Sequence, residues 1–326
     1  MSDPRVCVIG AGNLATRRIL PYIGSAGGQV AGVCDLDRER AARNARRFGG
    51  RVYTDVEAML DAETPDGVLI CIGPGEHAKF ARQIVRRGVP VYVEKPPAAT
   101  AAETLEIARA ARHAGVLCMT AFKKRHNVAY GRAKEWLAGF KPGDYYALSM
   151  DYGASPYPNT SVERSLLLDF GIHAIDLMHY LFGDVSEVFA FSKGSNAYAV
   201  SLRFANGAVG SLNITDGRSF HVPTEEVEIT VRGGNFMTVH NSSEWRISEQ
   251  ERPVEWREPS TFVSTGESGN ETGHFAEIVD FLSAIREGRR TSRSDMYESY
   301  KSMALYEAIR HSAGTGERVR MFYETL

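Results

Sequence analysis

The stretch Gly10-Ala11-Gly12-Asn13-Leu14-Ala15 decides how the first half of this chain folds. It follows a short apolar run, Arg5–Ile9, and overlaps the start of a helical pattern, Leu14–Ile23. The first glycine permits a tight turn, the second lets the backbone approach a pyrophosphate, and the alanine keeps the helix close to the sheet. In this strand-to-helix context the loop predicts a dinucleotide-binding βαβ unit with the pyrophosphate at the helix N-terminus.

The residues around this loop alternate between short apolar runs and helical patterns. The predicted strands are Arg5–Ile9, Gln29–Cys34, Val68–Ile72, Val89–Val93 and Val116–Thr120. The predicted helices are Leu14–Ile23, Arg38–Phe48, Glu76–Arg87 and Ala101–Ala114. Such alternation predicts a parallel sheet with right-handed crossovers, and helices on both faces explain why the strands are continuously apolar.

The second half of the chain has hairpin signals instead. Asn206-Gly207 separates two alternating segments, and Gly233-Gly234 separates two more. The segments are Tyr198–Phe204, Ala208–Ile214, Glu226–Val231 and Asn235–Val239, with helices predicted over Val128–Ala138, Leu167–Phe182, His274–Ile285 and Met296–His311. We therefore predict an α/β Rossmann domain over residues 1–124 and an α+β domain with a mainly antiparallel open sheet over residues 125–326, whose last helices could pack back on the first domain.

Composition excludes several classes of function. The 326 residues carry a formal net charge of -2 and no long basic run, which argues against a nucleic-acid partner. No stretch approaches the roughly 18 apolar residues of a membrane span. The N-terminus lacks the pattern of a signal peptide, and the four cysteines occur singly in predicted strands, so we expect buried thiols and a cytoplasmic protein.

Asp35 follows the second predicted strand, about 20 residues beyond the glycine loop, where a carboxylate accepts hydrogen bonds from the adenine ribose. A carboxylate at this position would repel a 2′-phosphate, so NAD is preferred over NADP. Arg38 nearby could soften that preference. The alternative is that Asp35 merely caps the next helix.

The stretch Val91-Tyr92-Val93-Glu94-Lys95-Pro96-Pro97 places a lysine at the end of a predicted strand. In open α/β sheets, ligands bind at the carboxyl ends of parallel strands. The two prolines fix the backbone after the lysine. Lys95 is therefore a candidate to donate a hydrogen bond to a substrate oxygen beside the cofactor, the alternative being a solvated loop lysine.

Asp169 and His173 are four residues apart in a predicted helix, and Asp176 follows three residues later, so all three should share a face. An aspartate beside a histidine orients the ring and raises its basicity, and such a base removes the proton of a hydroxyl group. Together with His179 these residues could instead bind a metal, or His173 could be structural. The four residues spread along the helix, so we predict no metal and favour acid–base chemistry.

These motifs resemble those of the Gfo/Idh/MocA family, named after glucose-fructose oxidoreductase, inositol dehydrogenase and a rhizopine-catabolism protein. The resemblance covers almost the whole chain and rests on Gly10–Ala15, Asp35, Glu94-Lys95-Pro96, Phe122-Lys123-Lys124-Arg125 and Asp169–Asp176. It implies a Rossmann domain followed by a domain with a large open sheet that builds homodimers or homotetramers. It also implies hydride transfer between NAD(P) and the hydroxyl or carbonyl group of a sugar, an inositol or a sugar derivative.

The resemblance also implies roles for individual residues. Lys95 would bond the reacting oxygen, His173 would be the acid–base group, and Asp169 would support both. Cofactor contacts are expected at Gly10, Gly12, Asn13, Leu14, Asp35, Ile72, Pro74, His77, Glu94 and Lys95. The expected substrate pocket is lined by Lys95, Lys123, Arg125, Tyr152, Asp169 and His173. The turn at Ile72 is richer in glycine than is usual in the family, and His77 is interpreted as structural.

Three of the pocket residues, Lys95, Lys123 and Arg125, are cations, which would suit an anionic group on a sugar. The alternative is that Lys124 and Arg125 pair with acidic neighbours. The turn-rich stretch Tyr152–Asn159 is expected to form a loop over this pocket. Two other functions remain open at this point: an NAD-dependent glycoside hydrolase, and a non-catalytic ligand sensor on the same fold.

Overall fold

A parallel sheet of six strands forms the core of the first half of the chain in the computed structural model, which describes residues 3–155, 165–219, 224–258 and 272–326. The strands are β1 (Arg5–Ile9), β2 (Gln29–Cys34), β3 (Arg51–Tyr53), β4 (Gly67–Ile70), β5 (Val91–Val93) and β6 (Cys118–Thr120). Their order across the sheet is β3-β2-β1-β4-β5-β6. This is the doubly wound order in which ligands bind where the strand order reverses, beside β1 and β4.

Helices connect these strands. They are α1 (Leu20–Ser25), which directly follows a π-helical segment (Ala15–Ile19), and α2 (Arg38–Phe48), α3 (Val56–Glu63), α4 (Pro74–Arg86) and α5 (Ala101–Ala114). A 3-10 turn, Lys123–His126, follows β6. The ends of α5 illustrate how adjacent residues determine where a helix starts and stops. Thr100 and Glu103 form a capping box at its start, and Gly115, with φ 67°, ends it.

Alternate side chains of β1 enter two separate apolar clusters, one on each face of the sheet. Val6 and Val8 pack in a cluster that includes Ile23 and Phe281. Cys7 and Ile9 pack in the other cluster, on the opposite face. Coverage of both faces is the reason that the strand is apolar throughout.

The second sheet has nine strands among the described residues. They are β7 (Tyr145–Gly153), β8 (Val185–Lys193), β9 (Ala197–Phe204), β10 (Val209–Thr215), β11 (Thr224–Val231), β12 (Asn235–His240), β13 (Glu244–Glu249), β14 (Arg252–Arg257) and β15 (Val319–Arg320). Their order is β14-β13-β12-β11-β7-β10-β9-β8-β15, and only β7 and β10 pair in parallel. The predicted fold class, a Rossmann domain plus a domain with a mainly antiparallel open sheet, is confirmed.

Both predicted hairpins are present. Strands β9 and β10 pair antiparallel around Gly207, and β11 and β12 pair around Gly233 and Gly234. These three glycines have positive φ angles of 92°, 85° and 72°, which only glycine adopts without strain. The prediction missed α3 and the strands β3, β7, β8, β13, β14 and β15. It also extended the strand that corresponds to β4 to Ile72, whereas β4 ends at Ile70.

The remaining helices are α6 (Val128–Leu137), α7 (Ile172–Phe182), α8 (His274–Glu287) and α9 (Met296–Thr315). The chain separates into two compact units. The first contains Met1–His126, Gly273–Tyr300 and Leu326, and the second contains Asn127–Thr272 and Lys301–Thr325. The helix α8 therefore belongs to the unit of the parallel sheet, although it lies far along the chain. No helix in the described ranges is long and apolar enough to cross a bilayer.

The four cysteines are free thiols. Three lie in strands, and Cys71 lies just beyond the end of β4, not inside a strand as predicted. Burial raises the pKa of Cys7 to about 12 and that of Cys34 to about 11. Because the thiolate is the reactive form, these thiols are inert, in line with the structural interpretation.

Candidate active site

The glycine loop is shaped by its neighbours before any ligand binds. Gly10 has φ 90°, and a Cβ atom there would lie 2.3 Å from the carbonyl oxygen of Cys71, so only glycine fits. A Cβ atom on Gly12 would meet nothing within 4 Å. The loop thus presents open backbone at its third position, beside the switch in strand order, which fits the pyrophosphate of a dinucleotide. Asn13 and Leu14, which follow in the loop, are both exposed, and their contact with the cofactor stays a prediction.

Asp35 holds the glycine loop against the end of β2. Its Oδ2 atom accepts a hydrogen bond from the Ala11 N–H at 2.8 Å, and its Oδ1 atom accepts one from the Asp37 N–H at 2.9 Å. The cap of α2 is Asp37, whose carboxylate accepts hydrogen bonds from the N–H groups of Glu39 and Arg40. The alternative interpretation of Asp35 as the helix cap is therefore wrong. Each carboxylate oxygen still has a lone pair for a ribose hydroxyl.

A neighbouring arginine bears on the choice between NAD and NADP. The Nε atom of Arg40 lies 3.6 Å from Oδ1 of Asp35, and its side chain is 44% exposed. The arginine paired with Asp35 is thus Arg40, whereas the sequence had suggested Arg38 as the nearby arginine. A carboxylate at the end of the second strand disfavours the 2′-phosphate of NADP, whereas an arginine beside it can accommodate that phosphate.

We expect Asp35→Asn to weaken NAD binding by about ten- to hundredfold, the equivalent of a hydrogen bond to an ionised group. NADP binding should be unchanged or stronger, because the repelling charge is gone and Arg40 becomes available to a phosphate. The amide oxygen still accepts from the Ala11 N–H, so the loop is preserved. Titrations with NADH and NADPH measure the ratio, and Asp61→Asn on the surface of α3 is the control. Parallel loss of both affinities would contradict the ribose role.

The turn after β4 contains Ile72 and Pro74, and α4 begins at Pro74. His77, in the first turn of α4, is fully buried. Its Nδ1 atom lies 2.8 Å from the carbonyl oxygen of Pro96, and its Nε2 atom lies 3.0 Å from that of Ile72. Burial lowers the pKa of His77. The ring therefore ties the turn to the backbone directly after Lys95, which is the structural role that the sequence suggested.

Glu94 and Lys95 follow the last residue of β5. The Glu94 N–H donates to the carbonyl oxygen of Ile70, which extends the sheet by one bond, and the Lys95–Pro96 peptide bond is cis. The Glu94 side chain is 5% exposed, and its Oε2 atom accepts a hydrogen bond from the Lys95 N–H at 2.9 Å. Burial raises the pKa of Glu94 to about 7, while Lys95 and Lys123 oppose the rise. Lys95 itself is half-buried at the carboxyl edge of the sheet.

The three cations after β6 have different surroundings. Lys123 is half-buried, but Lys124 and Arg125 are only 4% and 2% exposed. The Arg125 guanidinium donates to the carbonyl oxygen of Arg293 at 2.9 Å, and its charge opposes the burial-raised pKa of Asp295. The position of Arg125 thus favours the alternative, pairing within the protein interior, over a pocket that binds an anionic substrate group.

In the second unit, Asp169 lies in a π-helical segment, Leu166–Gly171, and not in a regular α-helix as predicted. The i→i+5 bonding of this segment differs from that of the regular helix on which the predicted shared face of Asp169 and His173 was based, so the shared face stays a prediction. A Cβ atom on Gly171 would lie 2.9 Å from Cδ1 of Ile214, which shows how closely this segment approaches β10. Asp169 is half-buried.

Tyr152 lies within β7 and is 7% exposed, so it does not belong to a surface loop as predicted. Its ring stacks on that of Phe170, with centroids 4.1 Å apart and planes inclined by 11°. Phe170 directly follows Asp169 in the chain, so the stacking fixes the π-helical segment to β7. The rest of the predicted loop, from residue 156 to residue 159, lies outside the described residues.

His173 is the second residue of α7 and is 8% exposed. Asp176, three residues later, is fully buried and accepts a hydrogen bond from the Ser302 hydroxyl at 2.8 Å. His179 has its Nδ1 atom 3.2 Å from the carbonyl oxygen of Gly183 at the end of α7. Asp176 and His179 are therefore structural. Within the described ranges, no group of three or more His, Cys, Asp or Glu residues could hold a metal ion.

One notable residue of the first unit, Glu277, was not anticipated from the sequence. Glu277 in α8 is fully buried and accepts a hydrogen bond from the Tyr92 hydroxyl at 2.9 Å. A signal was present, because Glu277 lies on the same helical stripe as the buried residues His274, Ile278 and Phe281. A glutamate on the apolar face of an amphipathic helix is rarely buried unless its carboxyl group is hydrogen-bonded or paired with a charge.

Comparison with known protein families identifies the class. Residues 4–122 match the model described as "Oxidoreductase family, NAD-binding Rossmann fold", and residues 163–321 match "Oxidoreductase family, C-terminal alpha/beta domain". The chain belongs to the Gfo/Idh/MocA oxidoreductase family, so the resemblance seen in its motifs is confirmed. Its first domain is an NAD-binding Rossmann domain, as the glycine loop predicted.

Individual relatives agree with this class. The chain is 31% identical over 179 residues to inositol 2-dehydrogenase 2 of Saccharopolyspora erythraea, an alignment that spans 54% of this chain and 53%, about half, of that protein. It is 24% identical over 326 residues to D-xylose 1-dehydrogenase (NADP(+)) 2 of Haloferax volcanii, spanning 96% and 98% of the two chains. Both relatives are dehydrogenases, and they give no support to a glycoside hydrolase or a non-catalytic sensor.

A solved structure shows the same fold along the whole chain. The oxidoreductase from Agrobacterium radiobacter, in complex with NAD+, L-tartaric acid and magnesium, superposes with a TM-score of 0.87 at 20% identity and covers 98% of each chain. At this identity the likeness shows the fold alone. It agrees with the doubly wound sheet and the open antiparallel sheet described above.

Proposed function

We propose that this protein transfers a hydride between the nicotinamide of NAD and a hydroxyl or carbonyl group of a sugar, a polyol or a sugar derivative. The proposal rests chiefly on Lys95. Its backbone is held at the carboxyl edge of the parallel sheet that also carries the glycine loop and Asp35. An ammonium group carried on that backbone suits a substrate whose reacting atom is an oxygen. The dehydrogenase relatives point to sugar-type hydroxyl groups.

Lys95 would bond and orient the reacting oxygen. Two hydrogen bonds hold the backbone on either side of Lys95: the Glu94 carboxylate accepts one from the Lys95 N–H, and the His77 ring bonds the Pro96 carbonyl oxygen. The charge of Lys95 in turn opposes the rise that burial causes in the pKa of Glu94. A preorganised cation stabilises the negative charge that develops on the oxygen as its proton leaves, without reorganisation during the reaction.

His173 would exchange the proton of the same hydroxyl group, with Asp169 as its support. Both side chains are carried by the segment that Tyr152 and Gly171 fix to the second sheet. Histidine suits this task because its unperturbed pKa lies near neutral pH, so the ring accepts a proton during oxidation and returns it during reduction.

The reaction balances with these groups alone and the cofactor. Oxidation of a carbinol breaks one C–H and one O–H bond and forms a C=O bond. Bound NAD supplies the acceptor for the hydride. The proton passes from the substrate oxygen to His173, while Lys95 holds that oxygen; reduction follows the same steps in reverse.

Among the predicted substrate residues, we propose that Lys95, Lys123, Tyr152, Asp169 and His173 act on the substrate and that Arg125 does not. The interior bond of Arg125 to the Arg293 carbonyl leaves fewer cations for the substrate. A neutral polyol therefore fits the proposed site better than a sugar acid.

A substrate screen tests the function directly. The purified protein should reduce NAD with at least one member of a panel of aldoses, inositols, polyols and sugar acids, or oxidise NADH with the matching carbonyl compounds. Because the Asp35 carboxylate favours NAD over NADP, we expect the protein to reduce NAD faster than NADP. Release of a sugar from aryl glycosides without net NADH formation would instead support the hydrolase, and NADH binding without turnover of any panel member would support the sensor.

We also propose that the protein is cytoplasmic and self-associates through the exposed face of its nine-stranded sheet. Ser211 in β10 is exposed and lies opposite Ser149 in β7 and Ser201 in β9, which are also exposed. Small uncharged side chains at the centre of a sheet leave a flat face that another sheet can approach to about 10 Å. The free cysteine thiols suit a reducing compartment.

We expect Ser211→Arg to convert the native oligomer into smaller species, because it places a charge at the centre of the proposed interface. Light scattering after size-exclusion chromatography measures the mass of the particle. Ser195→Arg, in the exposed turn between β8 and β9, is the matched control and should leave the mass unchanged. A monomeric wild-type protein would rule out the interface.

A further inference from the structure

A cavity of about 370 Å³ lies in the first unit, beside the edge strand β6 of the parallel sheet. One wall comes from the last turns of α5 and the residues that lead into β6. The other wall comes from the segment 290–297, which is joined to β6 by a hydrogen bond of 2.9 Å from the Thr120 N–H to the Ser294 carbonyl oxygen. The volume of the cavity lies in the range of about 300–1,000 Å³ that is typical of sites for small molecules.

The cavity lies at the opposite edge of the sheet from the groups that carry the proposed function. Gly115 and Val116 line it and precede β6, so it lies at the amino ends of the parallel strands. The glycine loop and Lys95 follow β1 and β5, so they lie at the carboxyl ends. A ligand in this cavity would therefore leave the cofactor loop free.

The floor of the cavity is apolar. It is formed by Ala108 and Ala111 of α5, Cys118 of β6 and Met296 of α9, each of which is at most 5% exposed. Burial first, and then the charge of Asp295, raises the pKa of the Cys118 thiol, so this side chain is neutral near neutral pH. A floor of this kind suits an apolar chain or ring, because the removal of apolar surface from water is favourable.

The mouth of the cavity carries a cation that is available to a ligand. The Arg290 side chain lines the cavity and is exposed, and within the described ranges it makes no ion pair and no hydrogen bond. A Cβ atom built on Gly115 would lie 3.4 Å from Nη1 of Arg290, so the guanidinium lies over the turn that ends α5. Arginine binds a carboxylate through two parallel hydrogen bonds.

The other charged groups around the cavity limit the charge of a ligand. Arg112 donates a hydrogen bond from Nη1 to the carbonyl oxygen of Leu326 at 3.3 Å, and both residues line the cavity. The Asp295 carboxylate also lines the cavity, and it accepts hydrogen bonds from the N–H groups of Tyr297 and Glu298 at the start of α9. Because Asp295 would repel a second negative charge, a ligand with one carboxylate fits better than a dianion.

We propose that this cavity binds a small monocarboxylate with an apolar chain or ring: Arg290 holds the carboxylate, and the apolar part lies on the floor formed by Ala108, Ala111, Cys118 and Met296. This inference goes beyond the proposed function, because it concerns a separate site and does not require hydride transfer. Neither part of the ligand is sufficient alone. An exposed ion pair contributes little, so the apolar part must supply binding free energy and the carboxylate must supply selectivity.

The test uses octanoate, which carries one carboxylate on a linear apolar chain, as the probe. The full-length protein is labelled with ¹³C at the methionine methyl groups, and the Met296 signal is assigned by its absence from Met296→Leu. Titration with octanoate should shift this signal until it saturates, because the Met296 side chain lies on the floor of the cavity. Acetate, which lacks the chain, should leave the signal in place at the same concentrations. Saturating NADH should leave the affinity for octanoate unchanged.

Two substitutions test the two parts of the site separately. Arg290→Gln removes the charge and should weaken octanoate binding about three- to tenfold, whereas the affinity for octanol, a neutral probe with the same kind of chain, should stay unchanged. Ala108→Leu fills the floor and should abolish the shift caused by either probe. Arg86→Gln is the matched control, because Arg86 is an exposed arginine of α4 that does not line this cavity.

Three results would overturn the proposal. A Met296 signal that does not respond to millimolar octanoate would show that the cavity takes no such ligand. Equal losses of octanoate and octanol affinity in Arg290→Gln would show that Arg290 does not hold the carboxylate. Displacement of octanoate by NADH would show that the probe binds in the cofactor site instead. Arg290→Gln changes an exposed side chain, so the test does not depend on the folding of Ala108→Leu, and no measurement depends on turnover of a panel substrate.

Discussion

Lys95→Met should lower kcat by about 10²–10³-fold, the usual cost of removing one preorganised donor from a developing negative charge. Methionine keeps the length and the apolar part of the side chain but has no charge. Because the loop, Asp35 and the turn after β4 remain intact, the dissociation constant of NADH should change little. Steady-state kinetics with the best panel substrate and a fluorescence titration with NADH measure the two quantities.

The control for this prediction is Lys79→Met on the exposed surface of α4, where Lys79 forms a surface ion pair with Glu76 at 3.7 Å and lies 5.1 Å from the centroid of the Phe80 ring. Such pairs contribute little, so its kinetics should match the wild type. A wild-type rate in Lys95→Met would refute the assignment of Lys95 as the group that bonds the reacting oxygen. Loss of NADH binding with unchanged kcat would instead show that Lys95 binds the cofactor.

His173→Asn should lower kcat by about 10²–10⁴-fold, the range that a positioned acid–base group contributes. Asparagine has a similar size and keeps a polar end, but it does not exchange protons near neutral pH. In the pH profile of the residual rate, the change that reports the titration of the acid–base group should disappear, whereas NADH should still bind. Kinetics across pH and a thermal melt of the variant provide the evidence.

His311→Asn is the matched control, because His311 is an exposed histidine in α9. It should retain the wild-type rate and pH profile. If His173→Asn instead lowered the thermal midpoint sharply and left kcat unchanged, His173 would have a structural role. That alternative is also consistent with the burial of its side chain. The double variant with Lys95→Met should lose less than the product of the two single effects if both residues act on one oxygen.

Local signals were sufficient to predict several elements. The helix α2 has the predicted bounds, Arg38–Phe48, because its start and end are determined by adjacent residues. Asp37 caps its first turn, and Gly49 ends it with φ 94°. The hairpin at Gly207 was predicted for the same kind of reason, since a two-residue turn signal lies between two alternating segments.

Elements that depend on distant partners were missed. Strand β7 lies inside the second sheet between β10 and β11, which lie more than fifty residues later in the chain. No two-residue turn signal joins β7 to a neighbouring strand in the sequence, so the sequence did not indicate that this segment is a strand. The π-helical segment at Asp169 was predicted as α-helix because apolar spacing does not distinguish the two types of helix.

The sequence by itself determined the cofactor-binding domain, the family and the candidates Lys95, Asp169 and His173, because each is part of a short contiguous motif. Only the tertiary structure decided what surrounds them. In the folded protein, Arg125 donates to the carbonyl oxygen of Arg293, and the His77 ring bonds the carbonyl oxygen of Pro96. Glu277 accepts a hydrogen bond from Tyr92, which lies 185 residues earlier in the chain. The physical reason is that burial and electrostatic interaction depend on distance in space, so the protonation state of a carboxyl group cannot be inferred from its neighbours in sequence.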